Sequence, residues 1–122
     1  AVELTYPNME PWSSEKVADL RGEGRAVFVD FTAAWCVTCK LNKKMVLDKP
    51  DVQAIFKSTD TAFLVADWTN KNDIIAAELA RHGRSGVPLY LLFPAGHDDV
   101  SPVILPQILT KNIVEDAIQS VQ

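Results

Sequence analysis

Residues 27–40 read VFVDFTAAWCVTCK, and this stretch indicates both the fold and the chemistry of the chain. The apolar, β-branched and aromatic run over residues 26–32 predicts a short strand that is buried on both faces. From Cys36 onward the apolar spacing becomes helical, so a helix should follow the strand directly. Both cysteines of the chain, Cys36 and Cys39, lie at this predicted junction with two residues between them.

The flanking sequence predicts an α/β domain. Ser13 or Ser14 can cap a helix, and an extended lead-in over residues 1–12 precedes it. Further strands are predicted at 61–68 and 89–93, with a hairpin partner at 103–105, and further helices at 74–82 and after the cap Thr110. A βαβ unit followed by a ββα unit gives a mixed central sheet with helices on both faces. At 122 residues, one domain over 1–122 is expected.

Composition excludes several classes of function. The net charge of −4 argues against nucleic acid, which requires a concentrated basic face, and the lysines at 40, 43 and 44 are interpreted as a solvated helix face. No apolar run approaches the ~18 residues that a membrane span needs. The chain begins without a signal peptide or an initiator Met, so we expect a mature or excised domain. We also expect a monomer.

The cysteine pair is interpreted as a redox centre. Free backbone N–H groups at a helix start stabilise a thiolate, so Cys36 should be the exposed nucleophile and Cys39 the more buried resolving thiol. A zinc site needs about four ligands, and the two histidines, His82 and His97, lie far along the chain, so no metal and no cofactor beyond the disulfide is expected. A purely structural bridge would close too small a loop to stabilise much. A redox-inert binding or metal module on the same fold stays an alternative.

Two further residues carry chemical signals. Asp30 interrupts the buried strand, and burial should raise its pKa until it can accept a proton from Cys39 near neutral pH. The alternative for Asp30 is a carboxylate at an edge, hydrogen-bonded to a nearby polar group. Pro88 leads into the apolar strand after Gly86 and Val87; its peptide bond could be cis, although a trans proline at a strand start is commoner.

These features together resemble the thioredoxin superfamily. The resemblance rests on the strand FVDF with Asp30 six positions before Cys36, on the string Trp35-Cys36-x-x-Cys39-Lys40, and on Val87-Pro88 about fifty positions later. It implies a thioredoxin-like fold in which Cys36 is exposed at a helix start and a cis Pro88 packs against the disulfide. It also implies that the backbone of Val87 pairs with an incoming substrate strand and that Trp35 packs beside the site.

The residues between the cysteines indicate the branch. Val37-Thr38 includes neither histidine nor proline, unlike the oxidising members of the superfamily. The string WCVTCK, with DKPDV after the next helix, closely resembles the C-terminal periplasmic domain of the DsbD family of transmembrane thiol:disulfide interchange proteins. This implies a periplasmic protein-disulfide reductase that takes electrons from a membrane-embedded cysteine pair and passes them to a periplasmic partner domain. A free-standing general reductase or isomerase is the alternative.

The chain departs from that family's pattern at two positions. Lys43 stands where an acidic residue is usual, and Ala34 stands where an acid often precedes the tryptophan. We predict that Val37, Thr38, Lys40 and Lys43 tune the site. With fewer acids and one more lysine, the Cys36 pKa should be lower than in the usual form.

Overall fold

The computed structural model describes residues 2–122, so the first residue of the predicted lead-in lies outside the described range. Five strands form one sheet in the order β1-β3-β2-β4-β5. Strands β1, β2 and β3 are mutually parallel, whereas β4 runs antiparallel to β2 and β5 antiparallel to β4. Their bounds are β1 Met9–Pro11, β2 Val27–Thr32, β3 Ala62–Asp67, β4 Leu89–Phe93 and β5 Val103–Leu105. The predicted mixed sheet is confirmed.

Strand β1 was not predicted. Its residues, Met9–Pro11, lie in the expected lead-in and pair in parallel with Phe63, Leu64 and Val65 of β3. Pro11 lacks a backbone N–H, which restricts it to a sheet edge, and β1 is the edge strand beside β3. A strand of three residues has too little periodicity to be recognised without its partner.

Polar side chains cap the helices where the sequence predicts. Ser13 Oγ accepts the Lys16 N–H at 3.0 Å, and Thr110 Oγ1 accepts the Ile113 N–H at 3.2 Å. The helices are α1 Ser14–Gly22, α2 Val37–Asn42, α3 Pro50–Ser58, α4 Asp73–Arg81 and α5 Lys111–Ser120, and a π-helical segment, Lys43–Leu47, continues α2. None of the helices in residues 2–122 has the length and apolar character that crossing a membrane requires.

Side chains along β2 point alternately to the two faces of the sheet, and each face is covered by a separate layer of the core. Val27, Val29 and Phe31 pack with the buried residues of α1 and α4 on one face of the sheet. Phe28 faces the other side and packs with the π-helical segment, α3 and α5. Asp30, two residues after Phe28, therefore points to the layer that continues from the cysteine helix.

Candidate active site

The disulfide lies where β2 gives way to α2. Cys36 is the N-cap residue of α2 and is bonded to Cys39, with 5.2 Å between the two Cα atoms. The Cys39 N–H donates a hydrogen bond to Cys36 Sγ at 3.2 Å. A donor placed on this sulfur, together with the helix start, stabilises negative charge there when the bond is reduced. The predicted position of Cys36 at a strand-to-helix junction is confirmed.

Cys36 is less exposed than predicted. Its exposed fraction is 7%, against 3% for Cys39, so both residues are buried and Cys36 is only slightly more accessible. The disulfide places the two sulfurs in contact with each other, and Val87 packs against the small cluster formed by Ala33 and the cysteines. In this oxidised form an attacking thiolate has access only to a small part of Cys36.

Asp30 is buried in the centre of the sheet. It is paired in register with Val65 of β3 and Tyr90 of β4, and its Oδ1 atom is fully buried and has no hydrogen-bond partner in the described part of the chain. Burial raises the pKa of this carboxyl from 3.8 to about 7, while Lys43 lowers it and Asp48 raises it. The direction of this shift agrees with the one predicted from the sequence, and the alternative of a hydrogen-bonded carboxylate at an edge does not fit this central position.

Lys43 forms an ion pair with Asp48 across the π-helical segment. The sequence-based hypothesis treated Lys43 as an added positive charge, but its ammonium group contacts a carboxylate, which offsets that charge. The same carboxylate accepts a hydrogen bond from Thr5 Oγ1 at 3.2 Å, and Tyr6 donates its hydroxyl hydrogen to the Asp48 carbonyl oxygen at 2.7 Å. The segment before β1 is thus fixed beside the cysteine helix.

A cavity of about 230 Å³ opens beside Cys39. The N-terminal segment forms one wall, and the end of β2 and the start of α2 form the others; its lining residues include Val2, Thr32, Cys39, Lys40 and Lys43. The cavity allows water or a small polar group to approach the resolving cysteine from the side of the N-terminal segment.

Trp35 lies on the surface next to the disulfide, and its side chain is 48% exposed. Its ring Nε1–H donates to the Thr69 carbonyl oxygen at 3.0 Å, and its ring centroid is 6.1 Å from that of Trp68. The Lys71 ammonium lies 5.1 Å from the Trp35 ring centroid, a cation–π distance. The indole is therefore held in place on the surface by residues that follow β3.

The Val87–Pro88 peptide bond is cis. The side chain of Val87 packs against the cysteine cluster, so the predicted loop does reach the disulfide although it is distant in sequence. Of the predicted tuning residues, Val37 is 70% exposed, Thr38 is half-buried and Lys40 is exposed. Within residues 2–122, no group of three or more His, Cys, Asp or Glu side chains is arranged to hold a metal ion.

Comparison with known proteins identifies the family. A family profile described as thioredoxin-like matches residues 8–95. The chain belongs to the thioredoxin-like family. With its Cys36-x-x-Cys39 pair, this thioredoxin-like domain is a disulfide oxidoreductase.

The domain is similar in sequence to DsbD proteins. Thiol:disulfide interchange protein DsbD 1 of Pseudomonas aeruginosa is 34% identical over 85 residues, which are 70% of this chain and 14% of that protein. DsbD of Salmonella typhi is 36% identical over 75 residues, which are 62% of this chain and 13% of that protein. The chain thus spans about one-seventh of the length of these relatives.

Solved structures share the fold. The oxidised C-terminal domain of Neisseria meningitidis DsbD is 18% identical with a TM-score of 0.69, covering 93% of this chain and 99% of that one. A thioredoxin from Thermus thermophilus is 18% identical with a TM-score of 0.73, covering 93% and 85%. The predicted thioredoxin-like fold and the resemblance to the DsbD domain are confirmed.

Two residues that support the site of this thioredoxin-like domain were missed. Thr69 Oγ1 accepts the Ala34 N–H at 2.9 Å, which fixes the loop before Cys36. The side chain of Asn42 is buried, donates to the Tyr90 hydroxyl at 2.8 Å and accepts the Leu109 N–H at 3.1 Å. Asn42 was detectable as a polar residue on the buried side of the predicted helix, whereas nothing in the sequence distinguishes Thr69.

Proposed function

We propose that this domain relays electrons by thiol–disulfide exchange, from a membrane-embedded cysteine pair to a periplasmic partner domain. Supporting this, relatives at 34% and 36% identity are named thiol:disulfide interchange proteins. Because the chain spans 14% or less of those proteins, their transmembrane and partner regions belong to this proposal rather than to the chain described here.

The observation that carries the proposal is the disulfide at the start of α2, with Asp30 buried on the sheet face that packs against the π-helical segment continuing α2. Cys36 Sγ accepts the Cys39 N–H at the start of α2, and the pKa of the buried Asp30 is about 7. In the reduced domain, the Cys36 thiolate attacks a partner disulfide. One sulfur–sulfur bond forms, the partner's bond breaks, and the released partner sulfur leaves as a thiolate.

Resolution of the mixed disulfide needs a second thiolate. Asp30 accepts the proton of the Cys39 thiol, and the Cys39 sulfur then attacks Cys36 Sγ. The bond to the partner breaks, the partner leaves with two reduced sulfurs, and the domain holds the Cys36–Cys39 disulfide. A carboxyl with a pKa of about 7 suits this transfer, because near neutral pH it can both accept and release a proton. Reduction of the domain's disulfide follows the same steps in reverse. A donor thiolate attacks Cys36, the more exposed of the two cysteines.

The surroundings of Cys36 would bind the partner. By resemblance to the superfamily, the backbone of Val87, which precedes Pro88, pairs with a partner strand. Contact of the Val87 side chain with the cysteine cluster supports this role. Trp35 is exposed, and its indole N–H is hydrogen-bonded to the Thr69 carbonyl oxygen, so it offers a fixed apolar surface at the same end of the domain. With this function we infer that the domain acts in the periplasm, as a monomer and without a further cofactor.

Trapping of the mixed disulfide tests the relay. Cys39→Ser should accumulate a covalent adduct with its partners, because the Cys36 sulfur attacks but is not released. Reduced Cys39→Ser protein is incubated with membrane and periplasmic fractions whose cysteine pairs have first been oxidised to disulfides with diamide, and adducts are identified by mass spectrometry after non-reducing separation. The relay predicts two principal adducts: a membrane protein bound through a cysteine in a spanning segment, and a periplasmic thiol–disulfide domain.

Matched controls make the result decisive. Cys36→Ser should form no adducts, and if it traps partners where Cys39→Ser does not, the assigned roles are reversed. Numerous unrelated adducts together with rapid reduction of insulin would instead identify a general reductase. If the unaltered domain cannot be oxidised and reduced reversibly, any exchange function is refuted.

A further inference from the structure

Three large apolar side chains follow one another along the outer face of the cysteine helix. Val37, Leu41 and Met45 are 70%, 57% and 60% exposed. A spacing of four residues places them in one row over α2 and the π-helical segment, while Cys39, Asn42 and Val46 face the interior. The row begins at the residue after Cys36 and extends about 12 Å along the helix at 1.5 Å per residue.

Ile108 is a fourth exposed apolar side chain, on the loop that precedes α5. Asn42, adjacent to Leu41 in sequence, donates to the Gln107 carbonyl oxygen at 2.7 Å and accepts the Leu109 N–H at 3.1 Å. These two bonds hold the loop before α5 against α2, and Ile108 between them is 65% exposed. We call Val37, Leu41, Met45 and Ile108 the α2 apolar surface. Several large apolar groups exposed on one part of the surface are typical of an interaction site.

Positive charge borders the α2 apolar surface. Lys40 and Lys44 are exposed, each one position before a member of the row, and so form a parallel row beside it. Neither lysine has a carboxylate within ion-pair distance in residues 2–122, whereas the Lys43 charge is paired with Asp48. The sequence has no acidic residue between Asp30 and Asp48, although the chain as a whole carries a net charge of −4. The basic character is therefore local to the cysteine helix.

We propose that the α2 apolar surface docks a protein whose disulfide is bordered by apolar and acidic side chains. The complementary charges would speed encounter and orient the partner, while the apolar contact would hold its disulfide at Cys36. This inference rests on the proposed function, since it names the surface chemistry of the partner in the same exchange. A protein is favoured over an anionic membrane because the row begins beside the reacting sulfur, which must meet another cysteine.

Two synthetic peptides test the charge preference. Each contains one disulfide and the same leucines, with aspartates near the cysteines in one and lysines in the other. The second-order rate of reduction by the reduced 122-residue chain is measured for both by stopped flow at low and high salt. We expect the acidic peptide to react about tenfold faster at low salt, and the ratio to approach one near 1 M salt, where screening acts over about 3 Å.

Variants locate the effect. Lys40→Glu with Lys44→Glu should reverse the preference, and because both peptides react with the same Cys36 thiolate, the rate ratio cancels any change in its reactivity. Lys16→Glu with Lys57→Glu alters the net charge equally on α1 and α3, and should leave the acidic peptide preferred. Leu41→Ser should slow both peptides severalfold while leaving their ratio unchanged.

The proposal is overturned if the unaltered chain reduces the two peptides at nearly equal rates. It is also overturned if the Lys16→Glu and Lys57→Glu control changes the rate ratio as much as the Lys40→Glu and Lys44→Glu variant does. The chain could instead sediment with phosphatidylglycerol vesicles, lose this binding in the α2 lysine variant and show a rate ratio near one. That result would assign the surface to a membrane and would also overturn the proposal. Reduction of the neutral 2-hydroxyethyl disulfide distinguishes failure of the docking proposal from failure of the proposed exchange function. If that reaction occurs without a peptide preference, only the docking proposal fails; if it does not occur, the exchange function fails.

Discussion

Replacing Asp30 by asparagine should stabilise the oxidised domain at neutral and alkaline pH while slowing its chemistry. The carboxyl is buried with an unpartnered Oδ1, and burial raises its pKa from 3.8 to about 7. The folded chain therefore binds this proton more tightly than the unfolded chain does. As the pH rises from about 4 to about 7, the free energy of unfolding must fall, because the folded state has to give up the proton or hold a buried charge.

The size of this effect follows from the two pKa values. Each pKa unit corresponds to about 1.4 kcal/mol, so the interval from 3.8 to about 7 amounts to roughly 4 kcal/mol. The cost is absent below pH 3.8, where Asp30 is protonated in both states, and complete above about pH 7. An asparagine side chain carries no charge at any pH, so the stability gained by Asp30→Asn should grow to roughly 4 kcal/mol across this window. That is a large share of the ~5–15 kcal/mol typical of a domain.

Urea unfolding of the two oxidised proteins at intervals from pH 4 to pH 8 measures the difference directly. The difference at pH 4 records mainly the exchange of a carboxylic acid for an amide, and its change with pH isolates the ionisation of Asp30. Asp116→Asn, at an exposed position on α5, is the matched control and should give no comparable rise. On the kinetic side, Asp30→Asn should slow the release of partner by Cys39 near neutral pH.

A difference in unfolding free energy that stays level from pH 4 to pH 8 would refute the reasoning, since Asp30 would then ionise alike in both states. A rise in stability without any slowing of the Cys39 step would keep the buried acid but remove it from the exchange reaction. The two readouts thus separate the energetic cost of Asp30 from its use.

Two further substitutions probe the groups around the site. Lys43→Gln should raise the pKa of Asp30, because Lys43 lowers it, and a ¹³C titration of the Asp30 carboxyl should show a higher midpoint; an unchanged or lower midpoint contradicts the assigned field. Thr69→Val removes the acceptor for the Ala34 N–H and should cost about 1–3 kcal/mol of unfolding free energy in urea, whereas Thr69→Ser should retain most of it. Equal losses in the valine and serine variants would show that the hydroxyl is not what supports the loop.

Much of the fold follows from local sequence signals. Strands β2, β3 and β4 are apolar runs that the core buries almost completely, and Ser13 and Thr110 cap helices by contacts within three residues. Such features depend on neighbours in sequence, so they can be predicted. Strand β1 depends on pairing with residues more than fifty positions away, and its three residues carry no pattern of their own.

The site divides in the same way. Cys36, Cys39 and Asp30 were recognisable because a cysteine pair and a carboxylate are conspicuous at a buried strand and its junction. Thr69 and Asn42 act across sequence separations of 35 and 67 residues, so their roles become visible only when the chain is folded. The burial of Cys36 was also unforeseen, since it results from Val87 in a loop that sequence order alone could not place.

The lysine that departs from the family pattern shows how far a single position can mislead. Taken alone, Lys43 adds a positive charge near the cysteines and should lower the Cys36 pKa. In the structure its ammonium contacts Asp48, and the two residues act on Asp30 in opposite directions. An ion pair so close to its target exerts a dipolar field, which decays faster with distance than that of a free charge. Burial is therefore the dominant influence on the pKa of Asp30, and Lys43 with Asp48 acts on it as a nearly neutral pair.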